Sequence, residues 1–164
     1  MKRWLLMGWL MSLLAMVGAC DWVAQQELKP GQSTLEDVRK LMGKPEMVWE
    51  EGDGRQVLEY PRSPEGAETW MVEIDANGRY QGMKNTLVDA NLRQVRPGMS
   101  RDDLRRLLGK PGSVETLPLK NELVWTWRVQ AAPGRTEMFN VHFGDDGRVA
   151  STSRTPDPRT INTQ

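Results

Sequence analysis

Cysteine is almost missing from this chain of 164 residues: Cys20 is the only one, so no disulfide can form within the chain. Histidine is as scarce. With His142 the sole imidazole and Cys20 the sole thiol, a zinc site of Cys and His ligands cannot be assembled, no Ser-His-Asp set can be argued, and no metal or cofactor is expected. An excess of one charge is also lacking, since 22 Lys and Arg stand against 22 Asp and Glu. That balance argues against nucleic acid as a partner. Beyond residue 19 no apolar run approaches the roughly 20 residues that a membrane-spanning helix requires.

What the sequence has is repetition. PGMSRDDLRRLLGKP, Pro97 to Pro111, nearly restates PGQSTLEDVRKLMGKP, Pro30 to Pro45. A second anchor follows, where Trp70 to Arg79 (WMVEIDANGR) corresponds to Phe139 to Arg148 (FNVHFGDDGR). A fixed internal period must be settled before any fold is assigned.

Each repeated segment predicts a short capped helix. Ser100 with Asp103, and Thr34 with Asp37, have the spacing of a capping box. Leu104, Leu107 and Leu108, like Val38, Leu41 and Met42, fall at i, i+3 and i+4 and give each helix one apolar stripe. Gly109 and Gly43 stand at the helix stop, and Pro111 and Pro45 prevent the helix from resuming. Period-two runs follow: Leu58 and Tyr60, then Trp70, Val72 and Ile74, in the first copy; Leu123, Trp125, Trp127 and Val129, then Phe139, Val141 and Phe143, in the second. Such alternation predicts strands with one buried and one wet face. Asn77-Gly78 and Asp146-Gly147 supply turns into a fourth strand. The fold expected is α+β, in two tandem units, each a helical hairpin packed on one face of a three- or four-stranded antiparallel sheet. The units are expected over residues 20–84 and 85–153. From 154 to 164 the chain lacks apolar periodicity and reads as a disordered tail.

Residues 1–19 stand apart. Lys2 and Arg3 precede an apolar segment, Trp4 to Val17, too short to be trusted as a span, which reads as a signal peptide. Val17-Gly18-Ala19-Cys20 then resembles the lipobox of bacterial lipoproteins, which implies lipidation of Cys20 after cleavage. Several acyl chains, palmitate among them, bury enough methylenes for stable anchoring where one chain is marginal. Asp21, next to that position, resembles an inner-membrane retention signal. The expected location is therefore the periplasmic side of the cell envelope, held to a membrane through Cys20.

Chemistry is hard to find in the rest. His142 lies opposite the apolar alternation of its strand, with no activating neighbour that the pattern reveals. Asp145-Asp146-Gly147 and Asp75-Ala-Asn77-Gly78 lack the remaining ligands of a calcium loop and read as hairpin turns. Trp49, aligned with Glu115 of the second copy, reads either as a partly covered satellite of the core or as an outward interface anchor, and is the one candidate partner-binding residue. The loops Arg62 to Glu68 and Gln130 to Arg135 are natural places for partner contacts.

GMSRDDLRRLLGKP, the tryptophan-bearing strand after it, and the strand ending FGDDGRV resemble the SmpA/OmlA (BamE-like) family of outer-membrane assembly lipoproteins. The resemblance spans about Leu28 to Ser153 and implies a non-catalytic accessory of the β-barrel assembly machinery, with envelope proteins as partners and the outer membrane as its site. One departure is that the family's familiar form has one such unit, whereas this chain has two. A tandem pair is also similar in architecture to the β-lactamase inhibitor protein. That similarity leaves open an alternative function, inhibition of an envelope or secreted hydrolase.

Overall fold

A helix of eight residues is not stable alone, and two such helices in this chain are defined at both ends by side-chain and glycine signals. In a computed structural model, residues 19–118 and 122–161 are described; the charged and apolar parts of the expected signal peptide lie outside them. The elements run α1 (Ala19–Glu27), α2 (Leu35–Met42), β1 (Met47–Glu50), β2 (Gln56–Pro61), β3 (Thr69–Ile74), β4 (Tyr80–Asn85), α3 (Asp89–Leu92), α4 (Arg101–Leu108), β5 (Ser113–Leu117), β6 (Glu122–Ala132), β7 (Arg135–Phe143), β8 (Val149–Pro156) and α5 (Pro158–Ile161). Among the described residues, no helix is long and apolar enough to cross a membrane.

Both expected capping boxes are formed. Asp37 N–H donates to Thr34 Oγ1 at 3.2 Å while Thr34 N–H donates to the Asp37 carboxylate at 2.8 Å. Ser100 and Asp103 repeat the exchange, at 3.1 Å in each direction. The helices also stop alike: Gly43 and Gly109 both have φ 83°, with ψ of −158° and −167°. That is the mirror-extended region, open in practice to glycine alone, rather than the left-handed helical well that the helix-stop pattern suggests.

The fold is α+β, with two antiparallel four-stranded sheets ordered β1-β2-β3-β4 and β5-β6-β7-β8, each preceded by helices. Two compact units result among the described residues, one formed by 19–58 and 72–83, the other by 59–71, 84–118 and 122–161. In the first, Val38 of α2 is fully buried, as are Leu58 and Val72. In the second, Leu104 and Leu108 of α4 join Trp127, Val129, Phe139 and Val141 in one core. Each apolar stripe thus has the sheet it needs. Burial of a Leu or Val side chain is worth about 1.5–3 kcal/mol, so the packing, not the helix itself, holds these short helices in place.

The second unit takes in Glu59–Met71, a segment of the first sequence repeat. Glu59 and Thr69 have no solvent exposure and Met71 only 3%, so here the wet face expected from alternation is covered. The disordered tail is also corrected over its first part. β8 continues through Pro156, and Asp157, with no exposure, pairs with Arg128 at 3.1 Å and accepts from Thr136 Oγ1 at 2.5 Å. Charge pairing over that sequence distance leaves no periodic signal.

Candidate protein-binding surface

A helix ends in carbonyl groups without intrahelical partners. At the end of α4 two of these are met by side chains: Thr86 Oγ1 donates to Leu108 O at 3.0 Å, and Trp127 Nε1 donates to Gly109 O at 3.2 Å. The next backbone donor, Lys110 N–H, reaches Glu59 Oε1 at 2.7 Å. Arg105 Nη2 lies 3.1 Å from each oxygen of the same carboxylate. An anion is disfavoured at the negative end of a helix dipole, and a buried one is tolerated only with a cation and donors around it. Arg105, from the last turn of that helix, supplies the cation. Glycine is required beside it, since a Cβ at Gly109 would stand 2.5 Å from Thr69 Cγ2 and 3.3 Å from Glu59 Oε1.

The end of α2 is spelled almost identically, RKLMGKP over residues 39–45 against RRLLGKP over 105–111. Its surroundings differ. Arg39, Gly43 and Lys44 are exposed, and a Cβ at Gly43 would meet nothing within 4 Å among the described residues. A groove of about 600 Å³ opens here, lined by Arg39, Gly43, Lys44, Pro45, Glu46, Met47 and Val48, so that two cations and one carboxylate border it. Met47 and Val48 belong to β1, which has one neighbour in its sheet and is therefore an edge. Met47 is 39% exposed. An edge strand with apolar side chains beside an open groove is geometry suited to capturing an extended segment of another chain.

Trp49 lies on this same strand and is half-buried. Cys20 falls in the first turn of α1, with Asp21 buried and Trp22 67% exposed just after it. The turn carboxylates serve the backbone: Asp75 Oδ1 accepts from the N–H groups of Asn77 and Arg79, and Asp146 Oδ1 from that of Arg148. Among the described residues, no group of three or more His, Cys, Asp or Glu side chains could hold a metal ion. Of the two loops expected to serve partners, that from Arg62 to Glu68 is engaged inside the second unit, where Glu65 O accepts from Arg128 and the Glu65 carboxylate from Arg159.

His142 is less isolated than its sequence position suggests. Its Nδ1 is 3.2 Å from Glu122 Oε1 and its Nε2 is 2.9 Å from Ser153 Oγ. The order Ser-His-Glu is that of a nucleophile, base and orienting acid, assembled across three strands and so invisible to local motif reading. A catalytic set also needs donors converging on a developing oxyanion. On an open sheet face the backbone N–H groups lie in the plane of the sheet and do not converge above Ser153. Asn140 Nδ2, 3.4 Å from Ser153 Oγ and 3.2 Å from Thr155 Oγ1, extends the cluster as a polar ladder instead.

The Arg39 groove was missed because RKLMGKP is fully explained as a helix stop. A usable signal was present: Arg and Lys recur at the same two places in both copies although neither position belongs to the apolar stripe.

Comparison with known proteins gives one domain match over part of the chain. Residues 85–153 match the outer membrane protein assembly factor BamE domain. No curated protein matches the chain at significant similarity. Among solved structures, it is similar to the DUF4309 family protein YjgB of Bacillus subtilis subsp. subtilis str. 168, at 18% identity and TM-score 0.31 over 80% of this chain and 84% of that one. A candidate beta-lactamase inhibitor protein from Streptococcus mutans is similar at 8% identity and TM-score 0.34, over 85% of this chain and 97% of the other.

Proposed function

We propose that this chain is a lipid-anchored, periplasm-facing lipoprotein that acts as a non-catalytic accessory in outer-membrane protein assembly. The observation that carries this reading is the match of residues 85–153 to the BamE assembly-factor domain. It is supported by the lipobox-like Val17 to Cys20 and by the exposed groove along β1, which suits protein binding. Cys20 is the acylated residue in this reading and Trp49 a contact residue on β1. A partly buried tryptophan at the edge of an interface is the side-chain type most often found to dominate binding energy, at about 2 kcal/mol or more.

The test is recovery of the native lipoprotein from detergent-solubilised envelope after crosslinking. Components of the barrel assembly machinery should be recovered with it, and Trp49→Ala should reduce that recovery. Recovery of the wild-type protein free of every assembly component would overturn the role. Anchoring is checked separately by labelled palmitate, which should be incorporated by the wild-type chain and not by Cys20→Ser.

A further inference from the structure

The two helix ends are a controlled comparison inside one molecule. RKLMGKP and RRLLGKP share arginine, glycine, lysine and proline at the same spacing. Both glycines have φ 83°, and both donate to the arginine carbonyl one turn back, Gly43 to Arg39 O at 2.9 Å and Gly109 to Arg105 O at 2.8 Å. The backbone therefore presents Lys44 N–H and the Arg39 side chain as it presents Lys110 N–H and Arg105. In the second copy that pair grips a carboxylate on a β-hairpin, while Thr69, on the neighbouring strand of that hairpin, fills the space above the glycine. In the first copy the corresponding surface is a groove of about 600 Å³ with Glu46 at the place of Gly112, and neither Arg39 nor Lys44 has a carboxylate partner among the described residues.

We infer that the Arg39–Lys44 groove is a docking site for an extended, acidic segment of a partner protein, one that offers a glutamate from a β-strand with a small side chain beside it. This rests on the reading of the chain as a protein-binding module and names what the module binds. The occupant is a partner rather than a second copy because this chain has no spare equivalent of Glu59, whose own carboxylate is buried and engaged. Trp70 aligns with Phe139, Trp127 pairs with Phe139, and Arg62 bonds to Glu68 across the first hairpin. By that register the place of Glu59 in the second copy falls to Thr126, which is neutral. Charge complementarity then selects the ligand: an arginine in the last turn of a helix and a backbone N–H just past it match one carboxylate, as the second copy demonstrates.

The probe is a backbone-cyclised peptide of residues 56–73, which carries Glu59, Thr69 and Met71, titrated into the full chain while amide shifts are followed. Saturable binding is expected, with the Lys44 amide moving downfield. Binding should fall about tenfold, the worth of one charge-assisted hydrogen bond, with either Glu59→Gln in the peptide or Arg39→Gln in the protein. The peptide variant leaves the protein untouched, so the result does not depend on how Arg39→Gln folds. Failure of the wild-type peptide to bind, or equal binding by both peptides, overturns the inference. So does concentration-dependent dimerisation of the chain that Arg39→Gln abolishes, which would assign the groove to a second copy. If the peptide fails while assembly components are still recovered with the lipoprotein, the docking chemistry is wrong and the accessory role stands. If the peptide binds and no component is recovered, the groove stands and the role falls.

Discussion

Asp157 fastens the end of β8 to the second unit. Burial raises its pKa, and this is outweighed by hydrogen bonds from the Thr136 hydroxyl and the Arg159 N–H and by the charges of Arg128 and Arg159, so the carboxyl titrates below its usual value of 3.8. A carboxyl lowered on folding favours the folded state wherever it is ionised in both states. Its contribution is complete above the unfolded value and is lost as pH falls through the folded one. Asp157→Asn should therefore lower stability clearly at pH 7, with the gap to wild type narrowing as pH falls below the usual carboxyl value of 3.8, as read from urea unfolding along a pH series. No pattern around Asp157 announces it. Thr155, Pro156, Asp157 and Pro158 look like the start of a tail, and only the arrival of Arg128 from β6, with a side chain just 10% exposed, converts them into structure. The same holds for Glu59, which the alternation of Leu58 and Tyr60 assigns to the wet face. Its burial is decided by Arg105 and Lys110, which lie far along the chain.

The short helices show the opposite balance. Their starts, stripes and stops were legible because each is written within a few residues: a hydroxyl and a carboxylate three apart, apolar residues at i, i+3 and i+4, then glycine and proline. What local reading could not give was the ψ at the stop. At φ 83° and ψ near −160° an added Cβ strains the backbone by roughly 1–3 kcal/mol. Gly43→Ala is expected to cost about that, as nothing described lies near the new methyl group. Gly109→Ala should cost more, since its Cβ would also collide with Thr69 Cγ2 at 2.5 Å. Thermal or urea unfolding of both variants checks the order, and equal losses would mean that the packing above Gly109 is loose. α3 is shorter than the apolar spacing of Leu87, Leu92 and Val95 suggests. It spans only Asp89–Leu92, because Asn85 Oδ1 accepts the Leu87 N–H and Asn91 Nδ2 donates to Thr86 O, which spend the polar groups of that stretch on the preceding turn.

At the scale of the molecule, sequence repeats and compact units do not share their boundaries. The repeat is a matter of ancestry written in matching letters, whereas the unit is a matter of which surfaces cover which, and Glu59–Met71 belongs to the first copy by one measure and the second unit by the other. A substitution in the first repeat should accordingly weaken the second unit. Glu59→Gln leaves Arg105, only 20% exposed, without its counter-charge. The loss expected is about 3 kcal/mol, the lower end for a broken buried pair because Arg105 retains some water. Hydrogen exchange should report it as faster exchange of α4 and β6 amides with α2 unaffected, and a uniform change would point to a single cooperative fold. One further consequence follows from the hairpin at Glu59. Of the two hairpins, the first carries Glu59 and the second carries the neutral Thr126 at the aligned place. A head-to-tail filament built through that joint would set Thr126 of one molecule against Arg39 of the next, a pairing without the counter-charge that Glu59 gives Arg105.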